Sequence, residues 1–221
     1  MSELSEKDDE PSSSLTRQTF ILESFRAVLA GIQETCFSTF AIFIAVAHFG
    51  FSEFPKGILT SCQALGLIGS LFVIPLIARR GFTVSRGAAG IHLLSMLGFG
   101  AAAMFPNNPW IFLSGMSLGM GIVAMAVPLQ TQYLRTNFPS RGRGRLFSVS
   151  IFIRAISAML FSYLIGRYLD ADLSRFPQVL GFFAFGSGAI ALCQWLIPSK
   201  SLGEDSKKAP LRQSTTILKE D

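Results

Sequence analysis

The chain of 221 residues is half apolar, has a mean hydropathy of +0.46 and carries a formal net charge of +5. Its apolar residues are concentrated in long runs joined by short polar connections, which argues against a water-soluble domain because too little polar surface remains to cover them. Since the basic residues lie in those connections, the positive charge does not indicate a nucleic-acid interface, which needs a basic patch on a soluble fold.

Polar segments flank the apolar part of the chain. Residues 1–18 are rich in Ser, Glu and Asp and lack the basic start and short apolar stretch of a cleavable signal. We therefore expect a disordered cytoplasmic segment there. Residues 198–221 are similarly polar and are expected to form a cytoplasmic tail that resembles the start of a central linker.

Six apolar runs between these ends are each long enough to cross a bilayer. An α-helix rises about 1.5 Å per residue, so about 20 apolar residues cover the roughly 30 Å hydrocarbon core. Residues 19–197 are thus predicted to form an all-α, polytopic membrane protein with six transmembrane helices. The predicted spans are 25–48, 57–78, 87–104, 110–133, 146–166 and 178–197.

The basic residues also predict an orientation, because cytoplasmic loops carry the excess of Lys and Arg. Most of them lie in the terminal segments and in the loops on the side of the N-terminus, and only Lys56, Arg167 and Arg175 lie on the opposite side. Both termini are therefore expected in the cytoplasm. The expected location is the plasma (inner) membrane, with the lipid bilayer as the immediate partner.

Two opposite charges, Glu34 and Arg154, stand in the middle of predicted spans. A charge at that depth is costly unless it is paired or faces a water-filled cavity. Counted from the span starts, both lie about 12 to 15 Å from the cytoplasmic side, so they can meet. They form either a permanent ion pair that fixes helix packing or a site for a solute or coupling ion. Both alternatives predict mutual dependence of the two residues.

Other polar side chains inside the spans give weaker signals. Gln33 adjoins Glu34, and Gln63 lies in the second predicted span. We include Gln33 and Gln63 with Glu34 and Arg154 as candidate substrate- or ion-binding residues. His92 lies alone in the third span, and we expect it to be a packing residue satisfied by a neighbouring helix.

Small residues and prolines predict how the helices pack and bend. Gly66, Gly115 and Gly119 have the spacing with other small residues that lets helix backbones approach closely. Pro75 and Pro128 lie inside spans and are expected to bend them. The three cysteines lie in apolar spans without metal-ligand spacing, so we predict neither a metal site nor a cofactor.

Two basic loops on the predicted cytoplasmic side carry a resemblance to a known family. The first reads Ala-Arg-Arg-Gly-Phe-Thr-Val-Ser-Arg over 78–86, and the second reads Phe-Pro-Ser-Arg-Gly-Arg-Gly-Arg over 138–145. Together with six helices and cytoplasmic termini, residues 20–200 resemble the N-terminal half of a major facilitator superfamily (MFS) transporter. The fold that this implies is an MFS-type N-terminal bundle.

The first basic loop matches the family motif only in part. In the family the loop runs glycine, three residues, aspartate, arginine, any residue, glycine, arginine. Arg79 and Gly81 match, whereas Ala78 replaces the aspartate and Ile74 the first glycine. The resemblance implies a gating loop made by Arg79, Arg80, Gly81 and Arg86, without the charge-paired lock that the aspartate helps to form.

The resemblance implies transport of a small-molecule substrate by alternating access, in which two six-helix halves rock about a midplane site. Glu34 is then a candidate site for a coupling proton or cation, and Arg154 is its partner or an anion contact. Because the sequence holds one half, we expect either a truncated chain, which is the simpler explanation, or pairing with a second copy or a separate C-terminal half. The alternative is a non-transporting six-helix scaffold that assembles with a partner.

Other classes of membrane protein fit less well. An intramembrane protease needs a nucleophilic serine near a histidine or an acid, and no Gly-x-Ser-Gly motif accompanies His48 or His92, so we expect no enzymatic activity. A channel needs filter-like loops, whereas Asn108 and Pro109 in a short outer loop are typical of a turn.

Overall fold

A computed structural model describes residues 11–201, without the side chain of Ser38. The described residues form helices and no β-strand: α1 Ser13–Thr35, α2 Ala41–Ala47, α3 Glu53–Arg79, α4 Val84–Met104, α5 Pro109–Met125, α6 Val127–Asn137, α7 Arg143–Ala171 and α8 Phe176–Leu196. A π-helical turn, Cys36–Phe40, joins α1 to α2, and a short 3-10 turn, Leu173–Arg175, leads into α8. Most of the two predicted terminal segments lies outside the described residues.

Five helical segments are long and apolar enough to cross a membrane: α3, α4, α5 with α6, α7, and α8 with its preceding turn. They support the prediction of an all-α integral membrane protein. The segment made of α1 and α2 contains the predicted first span but is not among the five. Its charged residues Glu23, Arg26 and Glu34 make α1 more polar than the five segments that can span a membrane.

The first helix begins earlier than the sequence predicts. Residues 13–18, expected in a disordered lead-in, are helical. The Ser12 hydroxyl caps the helix by accepting a hydrogen bond from the Leu15 amide at 3.3 Å. Thr16 then donates to the carbonyl of Asn137 at 3.0 Å, and Thr19 is fully buried. This polar segment is therefore ordered by contacts with α6 that are distant in sequence.

The connections between helices follow local chemistry. Gly81 has φ of +70° in the turn between α3 and α4, a conformation that glycine adopts without strain. Asn108 caps α5 by accepting hydrogen bonds from two backbone amides at 3.0 and 3.1 Å, in line with the predicted turn. After α7, Ser174 donates to Asp172 through its hydroxyl and its amide, which lowers the pKa of that carboxyl, and Arg175 adds to the effect.

The two prolines that are predicted to bend helices differ in their effect on the helix. Pro128 lies in the first turn of α6, directly after the break at Ala126 that separates α6 from α5. Pro75 lies inside α3, which continues through it as one α-helix. Proline removes one backbone donor in both places, but only near Pro128 does the helix break.

The helices pack in an order that repeats within the bundle. The described residues form six helical segments: α1 with α2, α3, α4, α5 with α6, α7 and α8. Their principal contacts join the first segment to the fifth and sixth, the fourth to the second and third, and the third to the sixth. If the first, second and third segments are exchanged with the fourth, fifth and sixth, the same pairs of segments are in contact. Because short connections make consecutive segments antiparallel, the two three-segment repeats run in opposite directions.

Glycines permit the two equivalent crossings in these repeats. Gly66 of α3 packs against the backbone carbonyl of Gly121 on α5, and Gly31 of α1 packs against the backbone carbonyl of Arg154 on α7. Gly115 and Gly119 on α5 lie against α4. The close approach predicted for small residues is present, and it brings α1 and α7 near enough for their polar side chains to meet.

The residues after α8 fold back onto one end of the bundle. Ser85 donates from its hydroxyl to the carbonyl of Ile197 at 2.7 Å, and the Val84 amide donates to the carbonyl of Lys200 at 3.1 Å. The amide of Asn137 donates to the carbonyl of Pro198 at 2.7 Å and to the Thr19 hydroxyl at 3.0 Å. These bonds tie the beginnings of α1 and α4 to the end of α6.

Candidate functional site

A central cavity of about 410 Å³ lies between α1, α3, α4, α5, α6 and α7. All four sequence-predicted binding residues line it: Gln33, Glu34, Gln63 and Arg154. Arg26, His92 and Gln130 contribute further polar groups to its wall. The remaining lining is apolar, so the cavity presents a few polar groups within an apolar bundle, as small-molecule sites do.

Glu34 and Arg154 form an ion pair in this cavity. The Arg154 Nε lies 3.1 Å from the Glu34 Oε2. The two side chains are 48% and 43% exposed, so the pair lies where the cavity opens rather than in the dry core. An ion pair this accessible contributes little net stability, and it can therefore open at small cost.

Removing one member of this pair is expected to be more harmful than removing both. Glu34→Gln and Arg154→Gln should each lower stability by leaving the other charge unpaired, and the double variant should recover part of the loss. The expected coupling is below about 1 kcal/mol, because both side chains are accessible. Unfolding of the purified protein in detergent micelles measures all four states of the cycle.

The pair of Glu53 and Lys56 provides a matched control for that cycle. These residues also form an ion pair, at 2.6 Å, but the Glu53 side chain is 94% exposed. We expect no measurable coupling between Glu53→Gln and Lys56→Gln. Additive losses at Glu34 and Arg154 would show that their contact does not persist in the membrane protein.

A second ion pair is buried beside the first. Arg26 donates to both oxygens of Glu23, from Nε at 2.7 Å and from Nη2 at 2.6 Å, and the two side chains are 6% and 1% exposed. The Tyr133 hydroxyl donates to Glu23 at 3.1 Å, and the Gln130 amide lies within hydrogen-bond reach of both charged groups. A small cavity of about 40 Å³ lies between this cluster and Arg154. The buried pair is therefore held by two hydrogen bonds between its own members and by contacts with Tyr133 and Gln130.

Sequence reasoning missed this buried cluster. Glu23 lies outside the predicted first span of residues 25–48, and Arg26 lies just inside its start. The available signal was the spacing of the two residues, because opposite charges three positions apart share one face of a helix. Their partner Tyr133 lies at the end of the predicted fourth span and is fully buried.

Further polar groups line or adjoin the deep part of the bundle. Gln33 donates to the hydroxyl of Ser187, and Ser95 donates to the carbonyl of Gly119 at 3.0 Å. His92 is 3% exposed, and its Nδ1 has no hydrogen-bond partner among the described residues. The sequence predicts a packing role for His92, but the structure places it in the wall of the central cavity.

The predicted gating-loop residues lie apart from the cavity. Arg79 ends α3, Arg80 and Gly81 form the turn, and Arg86 lies in the first turns of α4. All four residues of this loop are exposed. The Arg86 guanidinium lies 5.2 Å from the ring centre of Trp195, which connects the start of α4 to α8 through a cation–π contact.

The cavity can hold a polar solute by charge and hydrogen bonding. It offers an accessible carboxylate, an accessible guanidinium, amide groups and an imidazole. Among the described residues, no three His, Cys, Asp or Glu side chains are grouped so that they could hold a metal ion. No family model, curated protein or solved structure matches the chain.

Proposed function

We propose that this chain is one six-helix half of a secondary transporter of the MFS type, and that its cavity forms part of a pathway for a small polar solute. The observation that carries the proposal is the accessible ion pair of Glu34 and Arg154 in a cavity within an apolar helical bundle. Ionisable residues placed in this way usually mark routes for polar solutes across a membrane.

The internal repeat supports the same proposal. Each six-helix half of an MFS transporter is built from two inverted three-helix repeats, with the substrate site at the interface between repeats. The contact pattern of this bundle has that symmetry when the segment of α1 and α2 is counted as a span together with the five apolar segments. The cavity is lined from both repeats, by α1, α3 and α4 of one and by α5, α6 and α7 of the other.

The proposed arrangement places both termini in the cytoplasm and the loop of Arg79, Arg80, Gly81 and Arg86 at the inner gate. The plasma (inner) membrane is the proposed location. A second six-helix unit, either a separate half or a second copy, completes the opposite wall of the pathway. The exposed apolar side chains of α3 and α7, such as Leu71 and Phe152, face this unit or the lipid.

Alternating access gives roles to the two charged residues. Glu34 is the proposed site for a coupling proton or cation, and Arg154 is its partner or the contact for an anionic group of the solute. Opening of their ion pair exposes both charges to the cavity at small cost because the pair is accessible. The buried pair of Glu23 and Arg26 stays closed and supports the site.

A cysteine in the cavity tests the proposed transport cycle without knowledge of the solute. Cys36, Cys62 and Cys193 are replaced by alanine, and Ala30, which lines the cavity, is replaced by cysteine. A membrane-impermeant maleimide is then applied to right-side-out and to inside-out vesicles. We expect labelling from both sides, because an alternating-access cavity opens to each side in turn.

Two exposed end positions provide the controls. Phe54→Cys at the start of α3 and Arg80→Cys at its end should each be labelled from one side only, and from opposite sides. Labelling of the Ala30→Cys variant from a single side would contradict alternating access. It would favour the non-transporting membrane scaffold as the function of this bundle.

A further inference from the structure

Building on the proposed transport function, we infer that the solute is a small zwitterion with a hydrogen-bonding side group. Its carboxylate contacts Arg154, its ammonium group contacts Glu34, and its side group reaches the His92 imidazole deeper in the cavity. Three features of the cavity support this solute: its charge balance, the unequal exposure of its two ion pairs, and a buried nitrogen that has no hydrogen-bond partner among the described residues.

The charge balance of the cavity favours a solute that carries both signs. Arg26 is compensated by the buried Glu23, so the groups that remain for a solute are the carboxylate of Glu34 and the guanidinium of Arg154. A solute with only one charge would pair with one of these groups and leave the other without a counter-charge. A zwitterion supplies a partner to both.

The two ion pairs differ in how readily they can exchange partners. The pair of Glu23 and Arg26 is joined through two hydrogen bonds and is further held by Tyr133, all buried. The pair of Glu34 and Arg154 joins two long side chains that are nearly half exposed. Only the accessible pair can open without leaving buried charges unsolvated, so the charged end of the solute is expected there.

The deep end of the cavity offers a hydrogen-bonding group without a partner. His92 Nδ1 is buried and has no hydrogen-bond partner in the described part of the chain, although the residue lines the cavity. Buried polar atoms are nearly always paired, and an exception calls for an explanation. A polar side group on the solute would supply that partner once the imidazole ring turns Nδ1 towards the cavity. The cavity volume of about 410 Å³ is enough for a solute of amino-acid size.

Binding measurements with matched probes test this inference on the unaltered chain. L-glutamine is the zwitterionic probe, glutaramate lacks its ammonium group, 4-aminobutanamide lacks its carboxylate, and L-leucine lacks the polar side group. Titration calorimetry and ligand-dependent thermal unfolding are measured in detergent micelles. We expect L-glutamine to bind at least about tenfold more tightly than each of the other three compounds, because each leaves one polar group of the site unpaired.

Single substitutions test which residue contacts the ammonium group of L-glutamine and which contacts its side-chain amide. Glu34→Gln should remove the preference for L-glutamine over glutaramate. His92→Leu should remove only the preference for L-glutamine over L-leucine, and His92→Asn, which keeps a hydrogen-bonding side chain, should retain it. Equal affinity for all four compounds, or binding of none of them by the unaltered chain, overturns the inference.

The outcome can be separated from that of the transport proposal. Labelling of the Ala30→Cys variant from both sides without any preference for L-glutamine rejects the zwitterion and leaves transport in place. Selective binding of L-glutamine together with labelling from one side only rejects transport and leaves a zwitterion-binding site.

Discussion

Replacing Glu23 by Gln should lower the free energy of unfolding by about 3–5 kcal/mol, because it leaves the guanidinium of Arg26 buried without a counter-charge. Arg26 is 5% exposed and donates two hydrogen bonds to Glu23, so the little water that reaches it from the adjoining cavities cannot replace the lost charge. The same variant leaves one acceptor oxygen where Arg26 and Tyr133 now share two. Unfolding in mixed micelles, followed by circular dichroism against denaturant concentration, measures the loss.

Two further variants define the cause of that effect. The double variant Glu23→Leu with Arg26→Leu should be much more stable than either single variant, since an apolar pair removes both buried charges together. Glu53→Gln removes a carboxylate from an ion pair that is exposed and should leave stability unchanged. A similarly small loss for Glu23→Gln would show that water reaches Arg26 in the folded protein.

The second large effect is expected at the crossing of α3 and α5. A side chain added at Gly66 would overlap the backbone carbonyl of Gly121, which cannot move without displacing α5. Gly66→Ala should therefore cost about 1–3 kcal/mol, and Gly66→Leu more than that. The same micelle unfolding experiment, together with the yield of monodisperse protein, gives the size of the effect.

Gly57 in the same helix provides the matched control. A Cβ at Gly57 meets no atom within 4 Å. Gly57→Ala should thus be neutral or stabilising by up to about 1 kcal/mol, since alanine favours a helix more than glycine does. Equal losses at Gly57 and Gly66 would mean that glycine is needed for backbone flexibility rather than for close packing.

The apolar helices and the contact between Glu34 and Arg154 could be predicted from the sequence alone. A run such as residues 57–78 without an ionisable side chain has few alternatives to a membrane helix. Glu34 and Arg154 could be paired from their depth alone, because helices that start on the same side bring equal depths together. The cavity that contains them also contains Gln33 and Gln63, which were chosen only for being polar within a span.

The buried side of the site could not be found in the same way. Glu23 lies where the predicted first span had not yet begun, and its burial depends on Tyr133, which is 110 residues away along the chain. The ordering of residues 13–18 depends likewise on Asn137. His92 Nδ1 has no hydrogen-bond partner among residues 11–201, and only the three-dimensional arrangement reveals this. Long-range polar contacts are thus the part of this structure that periodicity and hydropathy do not encode.

The polarity of α1 has a consequence for how the protein enters the membrane. In the proposed six-span arrangement, α1 is synthesised before the other five spans, but its charged residues Glu23 and Glu34 find Tyr133 and Arg154 on helices made more than a hundred residues later. A charged residue at a helix centre opposes insertion by about 2.5 to 3.5 kcal/mol. The earliest of the six spans to be synthesised would then be among the last of them to settle in the bilayer, after α6 and α7 have formed.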